Sequence, residues 1–71
     1  MLVIAGQRYI GFEFSTDGNT KGTLGFLSGS AKVLKKARFM GGLQIQYADG
    51  SQQDISILVA HDSGMALFAF V

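Results

Sequence analysis

His61-Asp62-Ser63 places an imidazole, a carboxylate and a hydroxyl on consecutive residues. These are the residue types of nucleophilic hydrolysis, but that chemistry needs them convergent in space. Neighbours in a strand or turn point in different directions. Asp and Ser are common turn formers, and Gly64 follows them, so the segment reads as a turn with His61 as at most a titrating member. The carboxylates Glu13, Asp17, Asp49, Asp54 and Asp62 are scattered along the chain. General acid–base work needs two convergent carboxyl groups with separated pKa values, and this spacing brings no pair together. One histidine and no cysteine do not supply a zinc ligand set, so neither a metal nor another cofactor is expected. The residues point away from an enzyme.

Binding chemistry is better represented. Lys32, Lys35, Lys36 and Arg38 hold four of the six positive charges, and Phe39 follows them. On a helix such a set could grip phosphates while the aromatic ring stacks on a base; the bland alternative is a solvated helix face. Gly29-Ser30 ahead of that segment could cradle an anion at a helix N-terminus, but serves equally as a plain N-cap. Gln44, Gln46 and Gln52 offer paired amides on one strand surface.

Two Asp-Gly turns position most of these residues. Asp-Gly between alternating apolar residues is a strong hairpin signal. In the first hairpin, Tyr9–Phe14 is expected to pair with Gly22–Leu27. Ile10, Phe12, Phe14, Leu24 and Phe26 are all even-numbered, so a common face requires an odd loop. Asp17-Gly18-Asn19 fits, with Thr16 opposite Thr20 and Phe12 opposite Leu24. In the second, a two-residue turn at Asp49-Gly50 would set Ile45 against Asp54 and Leu43 against Ser56. An odd loop Ala48-Asp49-Gly50 instead groups Leu43, Ile45 and Tyr47 with Ile55, Ile57 and Val59. It groups Gln44 and Gln46 with Asp54 and Ser56, and gives Gly50 the left-handed position.

The last strand, Gly64–Val71, returns through His61–Gly64. That sets Ile57 opposite Phe68 and Ile55 opposite Phe70, and on the other face Leu58 opposite Leu67 and Ala60 opposite Met65. Both faces of this strand are apolar, the pattern of a strand covered on both sides. Between the hairpins, residues 31–40 read as a short helix. Val33, Leu34, Ala37 and Met40 form its apolar stripe, Ser30 its N-cap and Gly41 its C′ residue. Met1–Ala5 is apolar enough for a further strand, or for the first half of one long strand broken at Gly6.

The expectation is a single α+β domain over residues 1–71, in the order β-β-α-β-β-β. It would be a small, strongly curved antiparallel sheet or partial barrel of five to six strands with one short helix. Hydrophobic residues make up 48% of the chain and charged residues 15%, where about 25% is usual. So small a chain lacks the interior to hide this apolar surplus, and self-association is the economical outcome. Leu58, Met65 and Leu67 are the expected interface of a homo-oligomer, most simply a dimer. A formal net charge of +1 indicates neither nucleic acid nor membrane by itself. The N-terminal run lacks a basic n-region and no segment approaches the ~20 apolar residues of a span, so a cytoplasmic protein without a membrane partner is expected. Three functions follow. The first is a non-enzymatic, self-associating module that binds a macromolecular partner. The second is a small nucleic-acid-binding regulator using the 31–40 helix. The third is a small-molecule or nucleotide binder using a pocket between helix and sheet.

Overall fold

A computed structural model describes all residues 1–71. The elements are β1 (Leu2–Ile4), β2 (Gln7–Tyr9), β3 (Glu13–Thr16), β4 (Leu24–Ser28), α1 (Ala31–Ala37), β5 (Leu43–Gln46), β6 (Gln52–Ala60) and β7 (Met65–Phe70). One seven-stranded antiparallel sheet has the order β2-β1-β5-β6-β7-β4-β3. The α+β class and the single helix stand. The strand count is seven rather than five or six, and the sheet remains open, with β2 and β3 as its two edges.

The extra strands come from the N-terminus. Met1–Ala5 is not half of one long strand. The chain reverses at Ala5-Gly6, both with positive φ (51° and 83°), and β2 folds back on β1 with Ile4 opposite Gln7. Two left-handed residues make the tight turn whose twist matches a hairpin. A second break falls at Gly11 (φ 83°), so Tyr9 belongs to β2 and Phe14 to β3. Ile10, expected in the core, is 82% exposed at this break.

The β3–β4 hairpin also departs from its expected register. Phe14 faces Leu27 and Thr16 faces Gly25, so the connection is seven residues, Asp17 to Thr23, rather than three. Its far end is held by β7: Gly22 N–H donates to the Phe70 carbonyl and Phe70 N–H to that of Thr23 (2.8 and 3.0 Å). Leu27 is therefore buried, while Leu24 and Phe26 face outward. The physical reason is the packing of Phe68 across Gly25. A Cβ at Gly25 would stand 2.5 Å from the Phe68 ring and 2.9 Å from the Ser15 carbonyl oxygen. Phe68 needs a residue without a side chain beside it, and Gly25 rather than Leu24 or Phe26 takes the inner face.

The second hairpin follows the parity argument. Gln44 faces Asp54 and Gln46 faces Gln52. Tyr47 N–H donates to the Ser51 carbonyl (2.8 Å) around a three-residue loop in which Gly50 has φ 90°. The Asp49 carboxylate accepts from both the hydroxyl and the backbone N–H of Ser51 (2.6 and 2.9 Å). β6 is shared by two halves of the sheet: residues 52–54 pair with β5, and residues 55–60 with β7.

The core is one cluster of 13 buried residues, among them Leu2, Phe12, Leu27, Ile45, Ile55, Ile57, Phe68 and Phe70. Phe12 packs directly over Gly29, and Phe68 and Phe70 meet edge to face at 5.4 Å. α1 closes this concave side with Leu34 and Ala37, both fully buried, while Val33 packs against the cluster. Ser30 caps it as expected, accepting from Val33 N–H at 3.4 Å. The helix is shorter than 31–40. It ends at Ala37, and Phe39 and Met40 donate to the carbonyls of Lys36 and Ala37 in a tighter final turn. Met40 is consequently 44% exposed instead of packed, and the left-handed residue is Gly42 (φ 71°), not Gly41. No helix is long and apolar enough to cross a membrane.

Candidate functional site

The outer face of the sheet is where unusual chemistry gathers. Ile55 and Ile57 face Phe70 and Phe68 on the concave side, as alternation demands. A β-bulge at Leu58 then interrupts β6, so that Val59 faces Leu67 and Ala60 faces Ala66. An extra residue in one strand shifts every later side chain to the opposite face. Val59, expected inside with Ile57, lies outside. Leu58 does not oppose Leu67, and Ala60 sits against the core beside the buried Ala66 in place of an outward pairing with Met65.

The bulge builds an apolar surface across three strands. One row runs Val59, Leu67, Phe26, and the next runs Ser56, Ala69, Leu24. Met65 lies opposite Ser28 in the row beyond. Leu24, Phe26, Leu58, Val59 and Met65 are between 39% and 55% exposed, and Leu67 is half-buried among them. The residues expected at an interface, Leu58, Met65 and Leu67, thus adjoin one another. Leu24, Phe26 and Val59 join them, and sequence reasoning missed these three. The alternating glycine at position 25 was the available signal, because a glycine between two large apolar residues can mark the crowded face.

The rest of the outer face is polar. Val3 stands between Arg8 and Gln44, and Gln44 Nε2 donates to Asp54 Oδ1 at 2.8 Å. Gln46 and Gln52 face one another. Outer-face residues therefore divide into an amide-rich half, in which the Gln46 Oε1 is buried without a hydrogen-bond partner, and an apolar half, with the boundary on β6. A depression of about 140 Å³ beside Glu13, Ser15, Phe26, Ser28 and Met65 is the only relief at the β3 end of the apolar half. An apolar surface without a deep cavity suits another protein surface; a small ligand needs a deeper concavity.

The basic residues are all exposed but do not act as one patch. Lys35 forms an ion pair with Asp62 in the β6–β7 turn. The Arg38 guanidinium lies over the Phe39 ring, 5.5 Å from its centroid, and that ring is 83% exposed. Lys36 turns the other way, to a groove of about 270 Å³ that it lines with Ile4, Tyr9, Val33, Ala37 and Met40. Lys32 is solvent-exposed one turn earlier. His61, Asp62 and Ser63 are exposed in a turn closed by the His61 N–H to Met65 carbonyl bond (2.8 Å). Gly64 in that turn has φ 88°, and a Cβ there would meet the Gly29 carbonyl oxygen at 2.5 Å. No group of three His, Asp or Glu side chains is placed to hold a metal ion.

Asp49 has a displaced titration. Its carboxyl lies below the ordinary value because the Ser51 hydroxyl, and then the Ser51 N–H, donate to the charged form. It is a turn residue and stands away from both surfaces. Compared with known protein families, characterised proteins and solved structures, the chain has no significant match.

Proposed function

We propose that this chain is a non-enzymatic interaction module, working in the cytoplasm, that self-associates through the apolar half of its outer sheet face and binds a macromolecular partner elsewhere. The observation that carries the reading is the row Val59, Leu67, Phe26 with Leu24, Leu58 and Met65 around it. Covering a large apolar side chain fully contributes about 1.5–3 kcal/mol. Each of these is partly exposed, so each gains a share of that on association. An apolar patch rimmed by polar residues is the usual mark of a contact surface. Sheet faces of this kind pack on one another with their strands within about 30°. A twofold arrangement lets the same patch serve both copies, and so closes the assembly at a dimer.

Light scattering over a micromolar concentration range tests the reading. The wild-type chain is expected to be dimeric and Leu67→Asp monomeric. A wild-type chain that stays monodisperse and monomeric would remove the proposal.

A further inference from the structure

We infer that the free edge of β2, with the groove between the β1–β2 hairpin and α1, takes an extended acidic segment of a protein partner as an added strand. The inference rests on the interaction-module reading and names the chemistry of the partner. Strand addition needs three things in one place: unpaired backbone groups, a pocket for alternate side chains and complementary charge.

The backbone groups follow from the hairpin geometry. β2 is an edge strand, and on its other side β1 is already paired with β5. Gln46 N–H donates to the Met1 carbonyl and Ala5 N–H donates to the Gly42 carbonyl, so the odd residues of β1 bond toward β5. Its even residues bond toward β2, which makes Leu2–Tyr9 and Ile4–Gln7 the hydrogen-bonded pairs and leaves Val3–Arg8 the other kind. The N–H and carbonyl of Arg8 therefore point away from β1, at the open edge. A partner residue set opposite Arg8 can exchange two hydrogen bonds with it.

The side chains agree with that register. A residue opposite Arg8 shares its face, so an acidic side chain there meets the exposed guanidinium. The residues on either side of it point to the concave face, where Ile4 and Tyr9 form one wall of the groove and Val33, Ala37 and Met40 the other. Its volume of about 270 Å³ holds an apolar side chain, and Lys36 supplies positive charge at the mouth. Lys35 is already committed to Asp62, whereas Lys32, Lys36 and Arg8 form no ion pair. The edge is thus basic on both faces and apolar between them.

The test uses the intact protein and a fluorescein-labelled peptide with two Leu separated by one Glu and flanked by further Glu. Saturable binding is expected by fluorescence anisotropy, weakened about tenfold or more by Lys36→Glu and weakened by added salt, as for charges at a contact rim. Methylation of the peptide's central backbone nitrogen should abolish it. Amide shifts in the protein NMR spectrum are expected at Arg8, Tyr9, Val33 and Lys36. Leu67→Asp, on the opposite face, should bind the peptide as well as wild type even when monomeric, which separates this inference from self-association. Equal binding of a Leu/Lys peptide, indifference to Lys36→Glu or to methylation, or shifts confined to Leu24 and Phe26 would each overturn it. Binding of a single-stranded oligonucleotide in preference to the peptide, at the same residues, would also overturn it.

Discussion

The rings of Phe14 and Tyr47 meet edge to face, their centroids 5.5 Å apart and their planes at 81°, although β6, β7 and β4 separate their places in the sheet order. The sheet curls over the core, so that its β3 edge touches the end of β5, an interior strand, through this pair. Gln53 holds the same place by hydrogen bonds. Its Oε1 accepts from the Tyr47 hydroxyl at 2.9 Å, and its Nε2 donates to the Asn19 carbonyl in the β3–β4 connection. A half-buried amide with both ends engaged costs more to remove than it contributes, because the groups left behind lose their partners. Gln53→Ala should therefore lower stability by about 1–3 kcal/mol in urea denaturation, and Tyr47→Phe by less.

Gly25 is the hinge of the outer surface. Gly25→Ala drives a methyl into the Phe68 ring and the Ser15 carbonyl, so a loss of about 1–3 kcal/mol is expected from overpacking. The outer face should respond as well: displacement of Phe68 loosens the β4–β7 ladder that aligns Phe26 with Leu67. Chemical denaturation reads the first effect and sedimentation the second.

Ala5 pays a conformational cost in the β1–β2 turn, with φ 51° on a residue that has a Cβ. Asn tolerates the left-handed region better than Ala. Ala5→Asn should raise stability by about 0.5–1 kcal/mol. A lower melting temperature for the variant would refute the turn geometry.

The Asp49 loop gives a pH signature. Its carboxyl titrates below the ordinary 3.8 because Ser51 donates to the ionised form. A depressed folded value means that the stabilisation is fully present above 3.8 and is lost as the pH falls through the lower folded value. Asp49→Ala should melt below wild type at neutral pH, and the gap should close in strong acid. Gly50→Ala in the same loop should cost about 1 kcal/mol at either pH, because its φ of 90° strains any side chain although a Cβ there meets nothing.

Exposure alone does not define the assembly surface, and two exposed residues separate the ideas. Ile10 is 82% exposed but lies in the bend after β2, whereas Phe26 is 55% exposed within the apolar row. Phe26→Asp should dissociate the proposed dimer and Ile10→Asp should leave it intact, by sedimentation equilibrium. Both are surface changes and should shift monomer stability little.

What was legible in the chain is what short-range physics decides. Parity places Gln44 against Asp54, turn chemistry gives Gly50 its positive φ, capping sets Ser30 at the helix start, and alternation pairs Ile55 with Phe70 and Ile57 with Phe68. Each depends on residues that are neighbours in sequence or across one turn. The remainder depended on contacts between distant segments. Leu24 and Phe26 alternate correctly for either face, and the choice fell to the Phe68 ring, more than forty residues away, which fits only over Gly25. The bulge that turns Val59 outward follows from fitting β6 to β7, and nothing in the pattern Ile57-Leu58-Val59 distinguishes it from an uninterrupted strand. Tyr9–Phe14 reads as one strand by alternation, yet curling around the core needs a break, and Gly11 supplies it. The apolar character of the outer surface was therefore determined by sequence, and its membership and shape by tertiary packing, because local rules fix which residues share a face but only the assembled core decides which face is inside.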